Sequence, residues 1–133
     1  MKVSAELENA SAFLQAAGLN VTSITPTSVE GFIDLGPESH TPWGIVHGGV
    51  YTTAIESAAS LGASAAVEDR GQIAVGVTNV TNFLRPMKAG RVNVRAEPIQ
   101  QGRTQQLWNV DITDDEGRLV ATGQLRLQNV EPR

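Results

Sequence analysis

Residues 50–67 constrain this chain more than any other stretch. They hold Ala54, Ala58, Ala59, Ala63, Ala65 and Ala66, with Ser57, Ser60, Gly62 and Ser64 among them and one charge, Glu56. Alanine richness predicts a helix, and a helix that is small and apolar on every side predicts a buried one. Side chains of that size let a sheet approach the helix closely, so the rest of the chain should supply strands that wrap it.

The flanking sequence supplies them. Residues 21–25 and 29–35 read as two short strands joined by a turn at Pro26-Thr27. Residues 72–84, 90–99, 104–113 and 118–128 read as four longer ones, rich in Val, Ile and Thr. The breaks between the last four are short, which predicts an antiparallel meander. Ahead of them, residues 4–17 place Leu7, Ala10, Phe13 and Leu14 at helical spacing, with Gly18 where a helix-capping glycine belongs. Residues 36–44 form the long loop, rich in turn-forming residues. The expectation is one domain over residues 1–133, an α+β fold with an antiparallel sheet around one long buried helix.

Composition removes several functions. Ten basic against fourteen acidic residues leave a net charge of −4, which disfavours nucleic acid as a partner. With no cysteine there is no disulfide, thiol nucleophile or cysteine zinc site, and two histidines cannot make a three-histidine metal centre. No apolar run approaches the ~20 residues of a membrane span, and the first residues lack the continuous apolar centre of a signal peptide. A soluble, cytoplasmic protein with no membrane partner is the expectation. Its chemistry should rest on carboxylates, hydroxyls, histidine or backbone groups.

Such groups converge on the central helix. Gly48-Gly49 stands at its start, where free N–H groups and the positive end of the helix dipole can polarise a carbonyl. Glu56 is the one ionisable side chain between His47 and Glu68, and Ser60 follows one turn later on the same face. Eight positions separate Gly48 from Glu56, or roughly 12 Å along a helix. They could act on one carbonyl only if a second copy laid its helix antiparallel alongside, one chain giving Gly48 and the other Glu56. His47 is either a base or a cap for the helix, and His40 a solvated loop residue. Arg85, Lys88, Arg91, Arg95 and Arg103 cluster in sequence, with Glu97 the one acidic residue among them. They read either as a positive patch for a phosphorylated ligand or as a solvated strand face.

The run Gly44-Ile45-Val46-His47-Gly48-Gly49-Val50, then Ala54-Ile55-Glu56-Ser57 and Ser60, resembles the hotdog-fold acyl-CoA thioesterases of the phenylacetate type. Its glutamate makes it most similar to hydroxybenzoyl-CoA and dihydroxynaphthoyl-CoA thioesterases. Val75-Gly76-Val77, Asn82-Phe83-Leu84-Arg85, Gly90-Arg91-Val92, Gly102-Arg103 and Gln106-Leu107-Trp108 agree with it. The resemblance implies a homo-oligomer, at least a dimer and usually a pair of dimers, hydrolysing acyl-CoA without metal or other cofactor. It implies that the Gly48 N–H polarises the thioester carbonyl and that Glu56 of the neighbouring subunit is nucleophile or general base, with Ser60 near the water. Gly49, Arg85, Arg91, Arg103 and Thr104 would contact CoA. Thr41 stands where relatives carry Asn or Gln, which implies weaker activity or a different acyl group. The acyl group is expected to be aromatic or of medium length. Two other functions fit the same fold: a non-catalytic module binding acyl-CoA or an aromatic ligand, and a dehydratase or hydratase using His47 with Glu56.

Overall fold

A computed structural model describes residues 9–132. The elements, in order, are α1 (Ala12–Ala17), β1 (Asn20–Thr25), β2 (Ser28–Leu35), α2 (Gly48–Val67), β3 (Ile73–Phe83), β4 (Gly90–Gln101), β5 (Gln105–Asp114) and β6 (Leu119–Val130). Single 3₁₀ turns lie at Pro37–Ser39 and Glu68–Arg70. The expected α+β layout is present, six antiparallel strands packed on one long helix.

α1 is shorter than the periodicity suggested. The Ser11 side chain accepts from the Leu14 N–H and starts the helix there. Gly18, at φ 81°, ends it by donating its N–H to the Leu14 carbonyl. The earlier part of the expected helix, Leu7 included, lies outside the described residues.

The sheet order is β1-β2-β4-β5-β6-β3, so the meander expectation holds for β4 to β6 and fails for β3. β3 lies at the far edge against β6, and residues 84–89 carry the chain back to β4 across three strand spacings. Three spacings amount to about 14 Å, within the roughly 20 Å reach of six residues. A short connection therefore does not force neighbouring strands.

One face of the sheet holds the core. Val92, Val94 and Ala96 of β4 point inward, while Arg91, Arg95 and Glu97 alternate outward into solvent. Trp108, Val110 and Ile112 of β5 and Leu125 and Leu127 of β6 complete the inner face. α2 buries Tyr51, Ala54, Ile55, Ala58, Ala59, Gly62, Ala63 and Val67 against it. A Cβ on Gly62 would lie 2.5 Å from the Trp108 ring, so close approach does depend on small residues here. Burial on every side, however, is not what one chain shows. The face with Thr53, Glu56, Ser57 and Ser60 is only partly covered. Among the described residues no helix is long and apolar enough to cross a membrane.

Candidate active site

The loop before α2 is stitched in place by its own backbone. The Thr41 N–H donates to the Ile45 carbonyl at 2.7 Å and the His47 N–H to the Ser39 carbonyl at 2.7 Å. The Val46 N–H donates to the Met87 carbonyl at 2.8 Å, and His40 Nε2 to the Lys88 carbonyl at 2.6 Å. His40 is thus a tether to the β3–β4 connection rather than a solvated residue. The Thr41 hydroxyl accepts from the Trp43 N–H at 3.3 Å and helps shape the turn.

The loop delivers His47 to the start of α2, where its Nδ1 accepts the Gly49 N–H at 2.8 Å. The ring is therefore a helix cap, the second of its two expected roles, and a neutral ring carries its proton on Nε2. The same bond engages the Gly49 N–H, whereas the Gly48 N–H meets no acceptor among the described residues. Gly48 lines an open cleft of ≈ 480 Å³ with Ile45, His47, Tyr51, Phe83 and Arg85. The cleft thus faces the Gly48 N–H at the positive end of a twenty-residue helix.

Glu56 does not reach that cleft. It is exposed, two turns along α2, in a separate hollow of ≈ 240 Å³ lined by Phe13, Leu14, Thr52, Thr53 and Ser57. Its carboxyl carbon is 3.9 Å from the position a Cβ would take on Gly76 of β3. Ser60, half-buried, follows on the same face.

The basic residues do not gather in one chain. Arg85 lines the Gly48 cleft. Arg91 grips Asp34 of β2 through Nε at 2.8 Å and a second nitrogen at 3.1 Å, and its guanidinium lies 3.9 Å from the centre of the Phe32 ring. The hydrogen bond to Arg91 holds the Asp34 carboxyl below its ordinary pKa. Arg95 pairs with Glu97 and Glu30. Arg103 and Thr104 lie in the β4–β5 turn, at the opposite end of β4 from Arg85. Twelve strand residues span close to 40 Å, so neighbours in sequence become distant in space. The strands that would oppose these cations were also invisible as partners, since Asp34 and Glu30 come from β2.

Two wall residues escaped the sequence reading. Phe83 closes one side of the cleft, and Tyr51, its ring centre 6.5 Å from that of Phe83, lies beneath. The Tyr51 hydroxyl is buried and has no hydrogen-bond partner among the described residues, and burial pushes its pKa up to about 12. Its position three residues after Gly48, one turn of helix, was the signal available.

The thioesterase superfamily pattern matches residues 44–121, from the loop before Gly48 to the start of β6. The chain belongs to the thioesterase superfamily. Its curled sheet on one long helix is the hotdog fold of that family. The Mycobacterium tuberculosis protein Rv1847 is 47% identical over 118 residues, covering 87% of this chain and 84% of that one. Its solved structure matches with a TM-score of 0.88 over 92% of this chain and 99% of the other, at 46% identity. The thioesterase HI1161 of Haemophilus influenzae matches with a TM-score of 0.84 at 30% identity, covering 97% of this chain and 93% of that one. The 1,4-dihydroxy-2-naphthoyl-CoA hydrolase of Listeria monocytogenes is 31% identical over 106 residues, 80% of this chain and 85% of the relative. The thioesterase described here is thus a thioester hydrolase.

Proposed function

We propose that this thioesterase hydrolyses an acyl-CoA to the carboxylate and free CoA, at a site shared by two copies of the chain in the cytoplasm. The observation that carries the proposal is the separation on α2 of an unpaired Gly48 N–H and the Glu56 carboxylate, each beside its own open hollow. An antiparallel second copy of α2 would set the Glu56 of one chain opposite the Gly48 of the other. The exposed edge of β3, with Val75, Val77, Val80 and Phe83, favours pairing through that strand.

In such a site the Gly48 N–H donates to the thioester carbonyl oxygen. Glu56 takes a proton from water, with Ser60 holding that water, and the water oxygen bonds to the carbonyl carbon. The oxyanion is stabilised by the N–H and the helix dipole. Its collapse breaks the C–S bond, and the thiolate of CoA leaves with the proton Glu56 had taken. Neither a metal nor a redox step enters. Arg85 and Gly49, both lining the cleft, are placed to meet CoA; contacts from Arg91, Arg103 and Thr104 would need partner chains or rearranged ion pairs. The name of the Listeria relative, a hydrolase of an aromatic acyl-CoA, supports a substrate of that kind.

The test is release of free thiol from benzoyl-, hydroxybenzoyl-, phenylacetyl-, dihydroxynaphthoyl- and straight-chain acyl-CoAs, with Glu56→Gln in parallel. A general base contributes about 10²- to 10⁴-fold, so the variant should lose that much turnover and remain folded. Wild-type turnover in Glu56→Gln would remove the assignment.

A further inference from the structure

Tyr51 is the one tyrosine of the chain. It is 3% exposed, and its hydroxyl meets no hydrogen-bond partner among the described residues. A buried hydroxyl left unpaired is destabilising, and phenylalanine would fill nearly the same space without that cost. The wall of the cleft explains the missing partner. Its other side chains with hydrogen-bonding groups are His47 and Arg85. Arginine only donates. The Nδ1 of His47 is taken by the Gly49 N–H, so a neutral ring has only the Nε2–H donor left. The acceptor for the phenol proton therefore comes from outside the wall's side chains, as a ligand atom or a water.

Position favours the ligand. Tyr51 stands one turn after Gly48 on α2, and helical side chains lean toward the N-terminal end of their helix. At that same end the Gly48 N–H faces the cleft. Two donors, neither paired among the described residues, thus serve one helix end. Around them the wall is Ile45, Val46, Phe83, Leu84 and Pro86, an apolar setting that admits a neutral carbonyl far more readily than a phosphate.

We propose that the Tyr51 hydroxyl is a catalytic group, a second donor that joins the Gly48 N–H on the thioester carbonyl oxygen. This rests on the acyl-CoA hydrolysis proposed above. The carbonyl reaches the phenol as the Phe83 ring turns aside, a ring 57% exposed with its centre 6.5 Å from that of Tyr51. When water adds to the carbonyl carbon, the electron pair of the C=O bond moves to oxygen, and two hydrogen bonds meet that charge instead of one. The phenol keeps its proton throughout. Burial pushes its pKa up to about 12, so it stays a neutral donor at ordinary pH. Collapse of the oxyanion restores the C=O bond, expels the thiolate and leaves Tyr51 as it began.

The experiment measures kcat and KM in the wild-type protein, Tyr51→Phe and Glu56→Gln, with urea midpoints as the folding control. The substrates are benzoyl-CoA, hexanoyl-CoA and S-benzoyl-N-acetylcysteamine, the last a thioester without phosphates. Tyr51→Phe should be at least as stable as the wild type, since it loses only an unpaired hydroxyl. Its kcat should fall by about 10²-fold on every substrate with KM little changed, as expected for one lost oxyanion donor. In Glu56→Gln carrying ¹³Cζ-tyrosine, binding of unreacted benzoyl-CoA should move the single Tyr51 signal. An unchanged kcat or an unmoved signal would leave the phenol to a buried water. A loss confined to one acyl group would make it an acyl contact, and a KM rise confined to the CoA thioesters a phosphate contact. A destabilised Tyr51→Phe would reveal a partner within the protein. Each of these overturns the inference while hydrolysis through Glu56 stands. Hydrolysis of none of the substrates, or full activity in Glu56→Gln, removes the underlying reading and this inference with it.

Discussion

Gly48 packs so tightly against the edge of the Phe83 ring that a Cβ added to it would stand 2.7 Å from Cε1. The residue offering its N–H to the cleft is therefore a glycine for a steric reason. Phe83 is 57% exposed and able to turn, so Gly48→Ala should fold. The displaced ring would intrude on the cleft and cut kcat/KM by about tenfold. Gly48→Ala with Phe83→Ala should recover a substantial part of that loss, a coupling within the ~0.5–3 kcal/mol seen for touching residues. Strictly additive losses in the four-variant kinetic cycle would count against the contact.

If the site spans two chains, two impaired variants should complement each other. Gly48→Ala and Glu56→Gln damage different halves, so a mixed dimer keeps one undamaged pair. Random mixing makes half of the dimers mixed, and roughly a quarter of all sites intact. Co-refolded variants should therefore show about a quarter of wild-type thiol release, where each alone shows little. No recovery in verified mixed dimers would place both groups in one chain's site.

The approach of helix to sheet has its own test at Gly62. A Cβ there would lie 2.5 and 2.7 Å from Trp108 ring carbons and 2.9 Å from Val29 Cγ2. Trp108 is fully buried, and its Nε1 donates to Gln106 Oε1 at 2.9 Å, so the ring has nowhere to move. Alanine in place of glycine gains roughly 1 kcal/mol of helix propensity. Overpacking a core costs about 1–3 kcal/mol, and more when no neighbour yields. Gly62→Ala should be destabilised by about 1–2 kcal/mol in urea unfolding, with an altered near-ultraviolet signal from Trp108.

Acid sensitivity should trace in part to Asp114, at the β5–β6 turn. Burial raises the pKa of its carboxyl. That is outweighed by the N–H and guanidinium of Arg118 at 2.9 and 2.8 Å and the Glu116 N–H at 3.0 Å, which hold it below the ordinary value. A carboxylate whose pKa is depressed by folding adds stability that is fully present above its unfolded pKa of about 3.9. That stability is lost as pH falls through the folded value. Asp114→Asn should lower the urea midpoint at pH 6 and flatten its decline below pH 4. An unchanged acid slope would show that other carboxylates dominate it.

Much of this was legible before any coordinates. The small-residue run of α2, the alternation of β4 and the Gly18 cap are local patterns, and each was realised where the sequence placed it. The motif around Gly48 and Glu56 was equally legible, because residue type and spacing along one helix are properties of the chain. The partners of Arg91 and Arg95 were not, since Asp34 and Glu30 sit on a strand some sixty residues earlier. Nor was the choice between the two roles read for His47, since its capping depends on a ring nitrogen meeting the Gly49 N–H.

By itself the sequence determined which elements form, because helix propensity, strand alternation and capping act over a few residues. It also determined which chemical groups lie along α2. Only the tertiary structure decided that β3 crosses to the far edge, that Phe83 shuts against Gly48, and that Phe13 comes to stand beside Glu56. Those contacts join residues far apart in the chain. Which distant partner wins is set by competition among whole packings, where the energy of one pairing depends on all the others.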